Sequence, residues 1–364
     1  MKQFYRTDKI KETNADFYLV YGKKGNGKSS ALYEECIRNY WERGKQFVWM
    51  RRWNDDFMGS RAKNFFSDLV GRGVVEEITG GKWNNIVYYQ RAWYLAKEDA
   101  KGKTIKDSTP AGFAYALTSY EHQNGVQYPE VDLLVFDEFL TDDELADEFT
   151  LFMKCYSNIR RSKTYFKCWL LGNTVTYFST YWLSMGIDNV RTQKKNTIDV
   201  YTHEYKQYKI KIACEYCGLD NDEEVDESEV AIKVFENNNS QLAMITNGDF
   251  EIYEYSRPPQ KNFHNWNIKY RCFLEFFEYF FAIDLIKDDE KNIYLYVHPH
   301  DKNDIKDKSI IYGIDTFADK WHKKNILLAD TPVERRIVDL IKHDKIFYAN
   351  NITGNVFNAY LKRC

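Results

Sequence analysis

Apolar runs alternate with helical segments through the first half of the chain. Residues 16–21 form an apolar run rich in β-formers, and a glycine-rich segment separates it from residues with helical spacing that end at Gly44. The predicted strands cover residues 16–21, 45–50, 131–136 and 166–171, and the predicted helices cover residues 29–43 and 143–158. The first two strands and their helix predict one βαβ unit, and the whole alternation predicts a parallel, doubly wound α/β sheet with ligands at the carboxyl ends of its strands.

The second half of the chain has a different period. Beyond residue 249 apolar and polar residues alternate, which predicts strands, and two amphipathic helices follow around a further strand. The predicted strands cover residues 250–255, 269–286, 292–297 and 346–349, and the predicted helices cover residues 332–343 and 353–361. This pattern indicates a separate α+β domain.

Two segments between these patterns complete the predicted organisation. Residues 51–128 are rich in aromatic residues and glycine, which predicts short strands and hairpins, and residues 219–229 are strongly acidic, which indicates a linker region. We therefore expect a first domain over residues 1–208, a linker region over 209–248 and a smaller domain over 249–364.

Composition favours a globular protein of two domains. The chain has 364 residues, of which 44% are hydrophobic and 17% aromatic, so it can bury more than one compact core. Its 51 basic and 54 acidic residues give a formal net charge of −3, which excludes a polycation that coats nucleic acid. Any contact with nucleic acid is therefore expected to be local.

The chain carries no apolar segment typical of secretion or of membrane insertion. Its charged start lacks the apolar core of a signal peptide, and no stretch approaches 18 uninterrupted apolar residues. The seven cysteines are an odd number, and they are scattered rather than framed as in a secreted scaffold. These features predict a protein of a reducing cytoplasm, without a membrane partner.

The glycine-rich segment after the first strand matches a phosphate-binding loop. The run GKKGNGKS fits the pattern G-x-x-x-x-G-K-[ST] and lies between a predicted strand and a predicted helix. We expect Lys28 to reach the β- and γ-phosphates of ATP and Ser29 to bind Mg²⁺, whereas the alternative is a glycine-rich turn with an exposed lysine. The predicted nucleotide-binding residues are Gly22, Lys23, Lys24, Gly25, Asn26, Gly27, Lys28, Ser29 and Ser30.

Two acids follow the apolar run at residues 131–136. Asp137 is expected to hold Mg²⁺ through water, and Glu138 is expected to orient and deprotonate the attacking water. An adjacent glutamate favours ATPases of the additional-strand type over GTPase-like proteins. Taken alone, the pair is equally consistent with the solvated tip of a strand.

Polar residues around the next strand complete the predicted catalytic set. Asn173 ends that strand and suits a sensor of the γ-phosphate, although an asparagine that stabilises a turn is the alternative. Arg160 and Arg161 precede the strand and suit an arginine finger offered to a neighbouring subunit, with a solvated basic turn as the alternative.

The motifs GKKGNGKS, QFVWMRRW, VDLLVFDEF and CWLLGNTV, in this order, resemble the phi29-type bacteriophage DNA packaging ATPases. The resemblance implies an additional-strand P-loop ATPase of the RecA/FtsK-like kind, followed by a linker and a degenerate ribonuclease-H-like domain that binds portal or nucleic acid. It further implies a ring, usually pentameric, that uses ATP and Mg²⁺ to pump viral double-stranded DNA through the portal of a procapsid. A packaging RNA is a possible further partner, and the place of action is the host cytoplasm during assembly rather than the mature virion.

The resemblance carries over residue by residue only in part. The family's phosphate-loop, metal, base and sensor positions match Lys28, Ser29, Asp137, Glu138 and Asn173. Lys24 stands where the family usually has arginine, so a role that requires a guanidinium is not implied. The family's finger falls at Arg161, or at Arg160 if the alignment slips by one position. The family's DNA-gripping lysines have no clear match, and Arg61 and Lys63 are the expected substitutes.

Three functions remain open from the sequence. The first is the packaging motor itself. The second is a terminase-like ATPase with an active metal-dependent nuclease, for which Asp284 would be the first metal ligand. The third is a protein that binds ATP as an assembly signal without acting as a motor.

Overall fold

The computed structural model describes residues 4–99, 101–123, 125–141, 143–145, 147–218, 253–259, 263–306, 308–314 and 320–364. The chain divides into two compact units, Met1–Phe250 and Glu251–Cys364. The acidic stretch at 219–229 and the first part of the strand expected at 250–255 lie outside the described residues.

The first unit is built on one mixed sheet. Its strands are β1 (Phe17–Gly22), β2 (Gln46–Arg51), β3 (Asn85–Tyr89), β4 (Ala92–Glu98), β5 (Thr104–Lys106), β6 (Gly112–Ala116), β7 (Val131–Asp137), β8 (Lys167–Asn173), β9 (Thr197–Tyr205) and β10 (Tyr208–Cys217). Its α-helices are α1 (Asp8–Lys11), α2 (Lys28–Arg43), α3 (Gly59–Lys63), α4 (Ser67–Gly71), α5 (Val74–Ile78), α6 (Tyr120–Gln123), α7 (Glu148–Arg160) and α8 (Thr180–Ser184).

The order of the strands confirms the predicted fold class. The sheet runs β3-β4-β6-β2-β7-β8-β1-β10-β9, with β5 beside β4, and the strands from β6 to β10 in this order are parallel. β8 lies between β1 and β7, which is the additional strand that the sequence predicted. β1 and β2 both lie in the parallel part of the sheet. They are not neighbours, because β7 and β8 lie between them.

Both faces of the central sheet are buried. Every residue of β1 and of β7 is buried, as expected for parallel strands covered on both sides. Alternate residues of β1 enter different cores: Leu19 packs in the core that includes Phe152 of α7, and Val20 packs in the core that includes Leu32 of α2. The sheet is therefore doubly wound.

The structure corrects several expected boundaries. The sheet continues past residue 208, because β10 pairs in parallel with the outer edge of β1 and β9 pairs with β10. The helix expected at 143–158 begins at Glu148, because Glu144 accepts hydrogen bonds from Thr180 at the start of α8. The region 51–128 contains short helices as well as the expected hairpins.

The second unit is an α+β structure, as predicted. Its strands are β11 (Asn267–Phe276), β12 (Tyr279–Lys287), β13 (Ile293–Pro299), β14 (Ile311–Gly313), β15 (His322–Lys323) and β16 (Ile346–Tyr348), and its α-helices are α9 (Pro332–Lys342) and α10 (Asn351–Leu361). The run expected as one strand at 269–286 is a hairpin, because Phe277 turns the chain with a φ of 55°.

The sheet of the second unit contains both antiparallel and parallel strand pairs. The strands lie in the order β15-β14-β11-β12-β13-β16. β11, β12 and β13 form an antiparallel meander, and β14 and β15 continue the sheet in parallel from β11. Thr331 and Glu334 form a capping box at the start of α9, which explains why that boundary was predictable from the sequence. Among the described residues, no helix is both long and apolar enough to cross a membrane.

Gly22→Ala is expected to destabilise the first unit through one close contact. A Cβ at this position would lie 2.2 Å from the carbonyl oxygen of Cys217, so β1 and β10 would have to separate. Gly44→Ala is the control, because Gly44 also has a positive φ but an added Cβ would meet nothing within 4 Å. In denaturant unfolding, Gly22→Ala should lower the free energy of unfolding by about 1–3 kcal/mol more than Gly44→Ala does. Equal losses would contradict the contact.

Candidate active site

The loop between β1 and α2 has the geometry of a phosphate-binding loop. Gly22 lies so close to Cys217 that no side chain fits, and Gly27 has a φ of 88° at the N-cap of α2. No side chain caps this helix, so its first amide groups remain available to an anion. The sequence pattern alone was sufficient to predict this arrangement.

Lys28 is buried and surrounded by oxygen atoms. Its ammonium donates to the carbonyl oxygens of Gly22 (3.1 Å) and Lys23 (2.8 Å), to Asn26 Oδ1 (3.0 Å) and to Asn173 Oδ1 (3.3 Å). Burial lowers the pKa of Lys28 to about 8, although Cys217 and the Asp137 carboxylate oppose the shift. The lysine is thus held at the loop by neutral acceptors that a phosphate group could replace.

Two oxygen ligands suited to a hard cation lie beside the loop. Ser29 Oγ donates a hydrogen bond to Asp137 Oδ1 at 3.1 Å, which joins the start of α2 to the end of β7. A hydroxyl and a carboxylate fit Mg²⁺, because this ion usually takes few protein oxygens and completes its shell with water and phosphate. The predicted metal residues are therefore in contact with each other.

Glu138 has a strained backbone and an accessible carboxylate. Its φ is 63°, unusual for a residue other than glycine, and 56% of its side chain is exposed. Arg51 contacts both acids of this strand end, with Nη2 2.7 Å from Asp137 Oδ2 and Nη1 3.2 Å from Glu138 Oε2. Burial opposes the charge on Arg51, but the two carboxylates outweigh it and raise the pKa of the guanidinium.

Sequence reasoning missed the roles of two arginines and a glutamate. Arg52 forms a bidentate ion pair with Glu148, with both nitrogen–oxygen distances 2.7 Å. Its guanidinium also donates to the carbonyl oxygens of Glu138 and Phe139. The adjacent arginines at the end of β2 were a usable signal, since that strand end lies at the predicted ligand edge. Nothing near Glu148 in the sequence indicates a partner 96 residues away.

The predicted residues line a cavity of 280 Å³ at the carboxyl ends of the strands. Asn173 faces the phosphate loop across this cavity, and Leu171 and Gly172 complete its wall. Gly22 and Lys23 do not line the cavity, but their carbonyl oxygens accept hydrogen bonds from Lys28. The predicted residues that line the cavity are Lys24, Gly25, Asn26, Gly27, Lys28, Ser29, Ser30, Asp137, Glu138 and Asn173.

The family model of the podovirus DNA encapsidation protein (Gp16) matches residues 1–205. The chain belongs to this family. That match covers the strands that carry the phosphate loop, the two acids and Asn173.

Curated relatives of this DNA encapsidation family are phage proteins. The DNA packaging proteins of Bacillus phages phi29 and PZA are each 24% identical to the chain over 184 residues. This match covers 50% of the chain and 49% of each relative, so the chain spans about half the length of the curated relatives it matches.

Two solved structures have the fold of this encapsidation protein along nearly all of the chain. The bacteriophage phi29 viral genome packaging motor assembly matches with a TM-score of 0.56 at 17% identity and covers 99% of both chains. The Phi-28 gp11 DNA packaging motor matches with a TM-score of 0.55 at 15% identity and covers 100% of this chain and 98% of its own.

The structure does not bring the expected finger arginines to their own active site. α7 begins near Arg52 at the carboxyl ends of the strands and runs 13 residues to Arg160, which is about 20 Å. Arg161 is exposed and donates to the carbonyl oxygens of Asn158 and of Val126, which precedes β7. Both arginines therefore lie at the amino ends of the strands, at the edge of the sheet opposite Lys28.

Three other predicted residues lie outside the cavity. Arg61 and Lys63 are exposed on α3, which follows the end of β2, and Arg61 lies 3.9 Å from Asp56. Asp284 lies on β12 of the second unit, where Arg271 binds both of its carboxylate oxygens at 2.5 and 2.6 Å and His298 contacts it at 3.1 Å. Among the described residues no group of three or more acids, histidines and cysteines is arranged to hold a metal ion.

The affinity for ATP is expected to fall as pH rises above about 8. The pKa of Lys28 in the free protein is lowered to about 8, whereas a bound triphosphate favours the protonated ammonium. Binding must then take up a proton above this pH, so the Kd should rise by about tenfold per pH unit. Titration calorimetry in buffers of different ionisation enthalpy measures both the Kd and the proton uptake.

Lys28→Arg is the control for this pH dependence, because a guanidinium stays charged throughout the range. Its Kd for ATP, whatever its value at neutral pH, should not change between about pH 7 and about pH 9. A parent protein whose Kd is equally constant would contradict the assignment to Lys28.

Proposed function

We propose that this chain is the ATPase subunit of a ring motor that drives viral double-stranded DNA into a procapsid. The observation that carries the proposal is the convergence of Lys28, Ser29, Asp137, Glu138 and Asn173 on one cavity beside an additional strand. Membership of the DNA encapsidation family supports the proposal that the motor moves DNA into a procapsid, since the curated relatives are named DNA packaging proteins.

The cavity suits the triphosphate of ATP. Its wall combines a helix N-terminus, a buried lysine and a serine–carboxylate pair, which are the donors and ligands that a Mg²⁺–triphosphate group requires. A larger hollow of 1080 Å³ shares Gly27 and Ser30 with it and offers room for the nucleoside. Ser29 and Asp137 would hold Mg²⁺, which would neutralise charge on the phosphates when bound.

Glu138 is the proposed general base. Its carboxylate is accessible to water, lies beside the metal residues and forms an ion pair with Arg51. Asn173 is the proposed sensor: its amide contacts Lys28 across the cavity, where a γ-phosphate would compete for the lysine. In this proposal Glu138 activates the attacking water, and Asn173 detects whether a γ-phosphate is present.

A ring is proposed because the finger and the cavity lie at opposite edges of the sheet. Arg161, or Arg160 in second place, would enter the cavity of the next subunit in a head-to-tail arrangement that closes into a ring. The family resemblance implies a pentamer. Packaging structures with the same fold are described as motors, which supports an oligomer as the active form.

The proposed partners are double-stranded DNA and the portal of the procapsid, with a packaging RNA as a further candidate. The proposed place of action is the host cytoplasm during assembly. Arg61 and Lys63 are proposed DNA contacts, because both are exposed and follow the strand that ends at Arg51. The second unit is proposed to bind portal or nucleic acid without cutting it. Arg271 occupies both oxygens of Asp284, the acid that a nuclease would need.

The deciding experiment is packaging from defined components. Purified procapsids, double-stranded DNA, this protein and ATP should yield nuclease-protected DNA, with multiple turnovers of ATP for each protein. A single turnover would favour the assembly-signal function. Divalent-metal-dependent cleavage of the DNA that is lost in Asp284→Ala would favour the terminase-like nuclease.

Lys28→Ala and Glu138→Gln are expected to abolish turnover for different reasons. The first removes a ligand of the phosphates, so the affinity for ATP should fall together with the rate. The second keeps the shape of the site but removes the base, so ATP should bind normally while kcat falls by about 10²- to 10⁴-fold. Equilibrium binding and steady-state hydrolysis separate the two. Near-normal turnover by Glu138→Gln would show that another group is the base.

Two inactive variants are expected to restore activity when they are mixed. In a mixed ring the Glu138→Gln subunit donates an intact Arg161 to the intact cavity of an Arg161→Ala subunit, and a finger is typically worth about 10³- to 10⁵-fold in rate. Hydrolysis under assembling conditions should therefore exceed that of either variant alone. The matched control replaces Glu138→Gln with the double variant Arg161→Ala/Glu138→Gln, which should restore nothing. Failure of the mixture for both Arg161 and Arg160, with rings still formed, would place the finger elsewhere.

A further inference from the structure

We propose that Arg52 and Glu148 are positioning residues that hold the base, Glu138, in its working conformation through its main-chain carbonyl group. The inference rests on the proposed function of Glu138. It assigns a catalytic consequence to a buried ion pair whose hydrogen bonds include none to the phosphate loop or to Asp137. The contacts that carry it come from the ends of β2 and β7 and the starts of α7 and α8.

Glu138 needs an external restraint. Its φ of 63° is a conformation that glycine adopts readily and glutamate does not, so surrounding contacts must impose it. Its carboxylate is more than half exposed, so packing of the side chain does not restrain it. Besides its ion pair with Arg51, the carboxylate therefore depends on the main chain of the residue for its direction.

Arg52 supplies that restraint. Its Nη1 donates to the carbonyl oxygen of Glu138 at 3.0 Å, and its Nη2 donates to the carbonyl oxygen of Phe139 at 3.1 Å. The backbone N–H of Phe139 in turn donates to the carbonyl oxygen of Leu171 in β8 at 3.1 Å. The turn after β7 is thus held between β2 and β8.

Glu148 fixes the guanidinium that holds the turn. Its side chain is 0% exposed, and that of Arg52 is 6% exposed, so the pair is shielded from water. Both Glu148 oxygens accept from Arg52 at 2.7 Å, and they also accept from the Leu145 N–H at 2.8 Å and from the Tyr181 hydroxyl at 3.1 Å. A planar fork whose three nitrogens all donate hydrogen bonds is held in one orientation, which a lysine cannot reproduce.

The test compares two conservative variants of arginine–carboxylate pairs. Arg52→Lys keeps the charge but loses the fork, and kcat should fall by about 10²-fold while the Kd for ATP stays within about twofold. Arg271→Lys is the matched control, because Arg271 and Asp284 form a similar bidentate pair in the second unit. Its kcat should equal that of the parent protein. A Kd that weakens in step with kcat in Arg52→Lys would indicate general disruption and overturn the inference.

A double variant shows whether Arg52 acts through Glu138. When Glu138→Gln has already removed the base, adding Arg52→Lys should lower kcat no further than about twofold, because two residues that act as a unit are not additive. If the falls in kcat caused by Glu138→Gln and by Arg52→Lys multiplied in the double variant, the inference would be overturned. Should Arg52→Lys fail to fold, Tyr181→Phe removes one hydrogen bond from Glu148 and should lower kcat by about three- to tenfold at constant Kd. An unchanged kcat in that variant would likewise overturn the inference.

Failure of the inference and failure of the proposed function have different signatures. Normal turnover of Arg52→Lys beside an inactive Glu138→Gln overturns the positioning role alone. Absence of multiple turnover in the parent protein overturns the proposed ATPase, and the positioning role with it.

Discussion

The candidate site depends on the parallel register of β2, β7, β8 and β1. Backbone hydrogen bonds set Gly22 opposite Asn173, and they set Asp137 opposite Leu171, two residues before Asn173. The loop, the acids and the amide therefore reach the same edge of the sheet at nearly the same level. A slip of one residue would turn the acids toward the opposite face, so the buried apolar residues of these strands also define the geometry of the site.

Ion pairs of arginines then fix the positions of the acids and of the turn at the end of β7. Two adjacent arginines leave the end of β2 in different directions: Arg51 contacts the carboxylates of Asp137 and Glu138, and Arg52 contacts the main chain of the turn and Glu148. Such pairs contribute little net stability, because desolvation offsets most of the attraction. Their contribution here is to geometry, since the planar guanidinium groups donate hydrogen bonds only to partners in a narrow set of positions.

The placement of α7 links the two edges of the first unit. The helix begins at Glu148 beside the candidate base and ends at Arg160, at the amino ends of the strands. In the proposed ring the same helix would therefore extend from one subunit's cavity to the finger that enters the next cavity. A head-to-tail interface of this kind uses two different surfaces of each subunit, and it closes only if the rotation between neighbours is right.

The sequence by itself determined the local features of this protein. The phosphate loop was predictable because all of its residues lie within eight consecutive positions, and Asp137 and Asn173 were predictable because each ends an apolar strand. The doubly wound class followed from the alternation of strands and helices, and the α+β class of the second unit followed from its change of period.

Only the tertiary structure decided which strands are neighbours and which charges meet. It separated β2 from β1, added β10 beyond β1, and joined Arg52 to Glu148 across 96 positions. It also placed Arg161 at the edge away from its own cavity. The physical reason is that periodicity records which face of an element is buried, whereas partners distant in sequence are selected by packing and by the pairing of buried charge.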